Sequence, residues 1–217
     1  MVVIMVLCVL FLMDYERIQK TQDVVLVSKV GRRLMLIKAQ MGILSGLMFS
    51  FILLIFSLGV FFLKVSFQGL WKVPVCSAML AETRGILYYP FITFWKINVV
   101  QYLALSILVA VILAILAALF SAALQMLLHN SYLSFVLEAM IFFSLLALTF
   151  EKTVTWADIL IDLNPVCTWY MCGAWFMENS IWMSFPGTEF ISAALMGIID
   201  TIFICLGWKW YRTRDKY

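Results

Sequence analysis

The chain has 217 residues, of which 65% are hydrophobic and only 12% charged, with a formal net charge of +3. A soluble domain carries about twice that charged fraction, so the composition excludes an ordinary soluble domain and points to one all-α membrane domain over residues 1–217. The slight positive charge comes with no basic tract interleaved with aromatics, so nothing suggests nucleic acid binding. The apolar runs do not alternate with period two, which argues against a β-barrel.

The first apolar run covers residues 1–13. About 13 residues cannot cross a hydrocarbon core of roughly 30 Å as a helix. The run lacks the basic start and small-residue cleavage site of a signal peptide. It reads as a short N-terminal half-span. A charged strip follows, with Glu16, Arg17, Lys20, Asp23, Lys29, Arg32, Arg33 and Lys38 around an aliphatic centre of Val24, Val25, Leu26 and Val27. Acidic residues near its start and basic ones near its end complement a helix macrodipole. The strip reads as an amphipathic cytoplasmic helix within a loop over 14–40, with Gly31 able to end one helix before the next begins.

Four full spans are then expected, at residues 41–63, 97–128, 131–150 and 190–208. The loop over 64–96 ends in Tyr88, Tyr89, Phe91, Phe94 and Trp95. The loop over 151–187 holds Trp156, Trp169, Tyr170, Trp175, Phe176 and Trp182. Such rings favour the headgroup level, so these stretches are expected to dip into the interface as short or re-entrant helices. Asn164-Pro165 and Pro186-Gly187 read as turns.

Lys and Arg set orientation. The strip, together with Lys209, Arg212, Arg214 and Lys216 of the tail over 209–217, holds ten of the fifteen basic residues. The loop over 151–187 holds only Lys152, with Glu151, Asp158, Asp162 and Glu178, and Glu189 just beyond it. The strip, the tail and the turn at His129-Asn130 are therefore expected on the cytoplasmic side, and the two long loops outside.

Two acidic residues interrupt the apolar spans, Glu138 and Asp200. A carboxylate at the bilayer centre is costly and faces a partner or water. The pair reads either as a polar pathway or as structural carboxyls bonded to a neighbouring helix or to serine. Gly42 and Gly46 permit close helix approach, as do Ala110, Ala114, Ala117, Ala118, Ser121 and Ala122. Both dimerisation and internal packing would use them. The five cysteines are scattered, no zinc spacing exists, and His129 is the only histidine. Buried packing is the ordinary reading of such cysteines, with an external disulfide among Cys76, Cys167 and Cys172 the alternative.

The order of residues in the strip resembles the cytoplasmic loop of ABC-2 type transporter permeases. There the loop between the second and third spans commonly reads Glu-Arg-x-x-Gly-Thr-x-Glu, aliphatics, Ser-x-Pro-Val-x-Arg, aliphatics, Lys. The matching positions are Glu16, Arg17, Thr21, Asp23, Val24, Val25, Leu26, Ser28, Val30, Arg32 and Lys38. Lys20 stands where the family has Gly, and Lys29 where it has Pro. The resemblance implies a six-span plan in the cell membrane with both termini inside. This chain follows it from the strip to its C-terminus, so the first span and part of the second are expected to be missing.

It further implies that the strip docks onto a separate ATP-binding subunit, which would hold ATP and Mg, and that a second permease subunit completes a homo- or heterodimer. The expected contacts are Glu16, Arg17, Thr21, Asp23, Val24, Val25, Leu26, Ser28, Arg32 and Arg33. The chain has no P-loop, so no cofactor and no catalysis are expected in it. Its cargo would be a peptide, drug or amphiphile. Two other classes stay open: a non-transporting anchor or sensor, and a membrane-embedded enzyme, which one histidine and two isolated carboxylates disfavour.

Overall fold

A computed structural model describes residues 1–21, 31–65, 69–78, 93–148, 163–170, 175–176 and 186–214, without the side chains of 31–33 and 211–214. Among these residues the chain is all helical: α1 Val2–Ile18, α2 Gly31–Lys64, α3 Val75–Ala78, α4 Val99–Leu128, α5 Ser131–Leu148, α6 Pro165–Tyr170 and α7 Thr188–Arg214.

Three helices are long and apolar enough to cross a membrane, within Leu34–Lys64, Val99–Leu128 and Thr188–Trp210. Where four full spans were expected, α5 is a shorter apolar helix. α1 outruns its apolar segment, carrying Asp14, Glu16 and Arg17 in its last turns. Glu16 and Arg17 thus belong to α1 itself. Gly31 opens α2, and residues 22–30 before it, where the preceding helix was expected, lie outside the described residues.

α4 is the hub of the bundle, packing against α1, α2, α5, α6 and α7. It carries no charge, and a helix apolar on all sides is one that neighbours surround. Its small residues do the packing: Ala114, Ala118 and Ala122 face Met5, Val9 and Met13 of α1, while Ala117 meets Val6, Leu10 and Phe142. Gly42 and Gly46 also pack within the chain. A Cβ added to Gly42 would lie 2.7 Å from Val9 Cα, and one added to Gly46 3.0 Å from Met5 Cα. These glycines let the α1 and α2 backbones touch.

The far end of the bundle, away from the strip, is a knitted cap. Val75 N–H donates to Ile97 O at 3.0 Å, Val99 N–H to Val73 O at 3.2 Å and Phe94 N–H to Phe176 O at 3.3 Å. Trp175 and Phe176 are buried with Val109, Leu113 and Met196. Trp175 Nε1 donates to Thr168 O at 3.0 Å. Phe176 has φ 64°, a conformation uncommon for a bulky side chain. It is held by its N–H donating to Glu189 Oε1 at 2.5 Å and by its ring against Trp95, Tyr102 and Phe190. These two aromatics are core, whereas Trp95, Trp169 and Tyr170 are exposed as an interfacial belt requires. Tyr88, Tyr89, Phe91, Trp156 and Trp182 lie outside the described residues.

Asn164 is more than a turn residue. Its Oδ1 accepts from Val166 N–H at 2.9 Å and its Nδ2 donates to Phe142 O at 3.0 Å. It caps α6 with Pro165 in the first helical position. Cys76 Sγ lies 3.5 Å from Thr93 Oγ1 and Cys172 lies outside the described residues.

Candidate functional site

Two groups of residues carry the chemistry: the strip end of the bundle and the carboxyls within it. At the strip end α1 closes with a Schellman motif. Lys20 N–H donates to Arg17 O at 3.1 Å and Thr21 N–H to Glu16 O at 2.9 Å, with Lys20 left-handed at φ 56°. That is the backbone state glycine adopts without strain. Lys20 is also the position at which the permease pattern carries Gly.

Side chains then fasten this end. Lys38 Nζ pairs with Glu16 Oε1 at 2.6 Å, both only partly exposed. Arg17 Nη1 donates to His129 O, and the Ser131 hydroxyl donates to Asp14 Oδ2. His129 is the C-cap of α4, left-handed at φ 56°, and Asn130 Oδ1 accepts from Tyr132 N–H at 3.2 Å to start α5. The last turns of α7 arrive at the same end, since Gly207 abuts Met126 and Ala123. Both basic segments therefore leave the bundle from one end, together with the His129-Asn130 turn. Of the expected contact residues, Asp23, Val24, Val25, Leu26 and Ser28 lie outside the described residues, and Arg32 and Arg33 are described by backbone alone, in the first turn of α2.

The second group is a polar ladder between α4 and α5. The Ser134 hydroxyl donates to Gln125 Oε1 at 3.0 Å, and the Ser121 hydroxyl donates to Glu138 Oε2 at 2.5 Å. Ser121 also reaches Ala117 O at 2.9 Å. All four side chains are buried. Glu138 lines a cavity of about 330 Å³ between α1, α5 and α6. Asp200, on α7, lines a second cavity of about 100 Å³ with Phe120, Leu163 and Asn164. Phe142 walls both cavities and stacks on Phe120 with centroids 5.6 Å apart. Each carboxyl therefore lines a cavity that this one ring borders.

Sequence reasoning picked out Glu138 and Asp200 but missed Gln125 and Ser134. Yet the signal was present. With a turn at His129-Asn130, residues equidistant from it face each other in the antiparallel pair. Ser121 and Glu138, 17 apart, share that centre with Gln125 and Ser134, 9 apart. Glu189 was counted as a loop charge and is a buried acceptor for Phe176 N–H. No cluster of metal-ligating side chains occurs among the described residues. Family models, curated proteins and solved structures contain no match to this chain.

Proposed function

We propose that the chain is the membrane-spanning subunit of an ABC-2 type exporter, driven by ATP hydrolysed on a separate subunit. One observation carries this reading. Glu16 and Lys38, the first and last charged positions of the permease pattern, form an ion pair at 2.6 Å. That pair ties the last turn of α1 to the first turns of α2 and brings both ends of the strip to one point on the bundle. The left-handed backbone at Lys20, where the pattern has Gly, supports the same alignment of residues.

Mechanically, a docking segment can move a transmembrane bundle only if it is fixed to helices and not merely tethered. Here Arg17 and Asp14 connect the strip end to the α4–α5 turn, so a push on the strip reaches α1, α2 and the hub helix together. Reversal of Arg32 and Arg33 to Glu is expected to release a P-loop ATPase from membranes purified with the native chain. Full retention of that ATPase, with full transport, would overturn the assignment.

A further inference from the structure

The larger of the two cavities next to the ladder has a chemistry of its own. Its walls include Val2, Val6, Phe135 and Phe142, and Glu138 is its only carboxyl among the described residues. Val3, Phe143 and Trp169 at its edge are exposed among the described residues, on an apolar surface that suits contact with lipid. Its volume of about 330 Å³ falls within the usual range for small-molecule sites, roughly 300–1,000 Å³.

Glu138 is 2% exposed. Ser121 occupies its Oε2, while Oε1 is buried with no hydrogen-bond partner among the described residues. In the ionised carboxyl Oε1 is an acceptor only, and the group that answers it is then a donor. An otherwise apolar chamber with one unanswered acceptor suits a hydrocarbon body with a polar hydrogen at its tip.

We propose that this cavity binds a hydrophobic amine drawn from the bilayer. The ammonium donates to Glu138 Oε1 and the hydrocarbon lies against Val6, Phe135 and Phe142. An ammonium fits better than a hydroxyl because charge-assisted hydrogen bonds are about twice as strong as neutral ones. Asp200, which lines the neighbouring cavity with Phe142, adds negative potential when ionised. A quaternary ammonium has no N–H to give, and a fatty-acid carboxylate has no donor and would set charge against charge. The site stands independently of the transporter reading, since it needs only the folded bundle.

The test uses the full chain in phosphatidylcholine nanodiscs, titrated with bromododecylamine, bromododecanol and bromododecyl-trimethylammonium. Bromine quenches tryptophan, and the component lost in Trp169→Phe reports this cavity. The amine should saturate that signal at a concentration about tenfold lower than the alcohol or the quaternary salt. Glu138→Gln should bring the amine down to the affinity of the alcohol. Ala139→Phe, which fills the cavity and leaves Glu138 in place, should abolish saturable quenching for all three probes, with helicity retained by circular dichroism. Phosphatidylethanolamine added to the discs separates the sources: displacement of the probe identifies a lipid headgroup as the natural ammonium, and no displacement a free amine. Equal affinity for amine and alcohol in the native chain, or an amine preference that survives Glu138→Gln, overturns the proposal. So does saturable quenching that persists in Ala139→Phe.

Discussion

The bundle contains two antiparallel hairpins whose seams are made differently. Along α1–α2 the helices meet backbone to backbone, with Val9 Cα and Met5 Cα resting on Gly42 and Gly46. Along α4–α5 they meet through side chains, in the rungs Gln125–Ser134 and Ser121–Glu138. In lipid there is no hydrophobic drive to bring helices together, because lipid tails are as apolar as leucine. Tight packing and interhelical hydrogen bonds remain, and each hairpin relies mainly on one of them. The packed seam should therefore fail when a methyl group is added, and the bonded seam when a hydroxyl is removed.

The largest effect is expected at Gly42. A Cβ there meets Val9 main chain at 2.7 Å, and backbone cannot rotate aside as a flexible side chain can. Gly42→Ala should destabilise the protein by about 1–3 kcal/mol, the range for overpacking a well-filled contact, with Gly46→Ala falling below it. Denaturation in mixed micelles measures this. A loss confined to Gly46→Ala would mean that the seam is set at the wrong register.

How far these seams could be read from sequence differs in the same way. Gly42 and Gly46 announce themselves by their four-residue spacing, but the spacing does not name the partner. Packing against α1 became visible only with Met5 and Val9 in place. The ladder was half visible, through Glu138, because a carboxylate in an apolar run is conspicuous and Ser or Gln is not. The strip shows the limit of local pattern. Charge counting grouped Glu16 and Arg17 with the residues after them, whereas helical hydrogen bonding carries α1 through both to Ile18. At the other end, Phe176 is held by hydrogen bonds between its main chain and distant residues, the Glu189 carboxyl and Phe94 N–H, and Trp175 by its ring N–H on Thr168 O. No aromatic count distinguishes such rings from a solvated belt.

Both seams end near a non-glycine residue in the left-handed region, Lys20 beyond α1 and His129 at the end of α4. The comparison sharpens here. His129 is fastened, since its carbonyl accepts from Arg17. At Lys20 the motif needs only the main chain. Lys20→Gly is expected to stabilise the protein by up to about 1 kcal/mol through relief of the left-handed conformation. His129→Gly should gain less, because a more flexible turn loosens the Arg17 contact. Thermal unfolding of the two variants side by side measures the difference, and a larger gain at His129 would contradict it.

The ladder should yield a smaller, pairwise effect. Interhelical hydrogen bonds in membranes average about 0.6 kcal/mol in double-mutant cycles, because the unfolded helices also find partners in lipid. Gln125→Leu with Ser134→Ala removes both ends of one rung and should show a coupling of about that size. Ser121→Ala differs, since it leaves Glu138 buried with neither oxygen answered. That single change should cost more than the whole Gln125–Ser134 rung, measured in the same micelles. Equal costs would mean that water already reaches Glu138 through its cavity, and that the seam there is wet.

The smallest effect is expected at Gly59, the control for the packed seam. It lies in the same helix as Gly42 and Gly46, but among the described residues a Cβ there meets nothing within 4 Å. Around it Ile55, Phe56, Val60 and Leu63 are exposed, so among the described residues this face of α2 is left open. Without a close neighbour, glycine in a helix only weakens it, and alanine should gain roughly 0.5–1 kcal/mol at most. Lipid moderates that gain by already discouraging unfolded backbone, so a few tenths is the expected value. A clear loss of stability in Gly59→Ala would show that a second chain presses on this face as closely as α1 presses on Gly42. The packed seam would then continue along α2 from an internal contact into an intermolecular one.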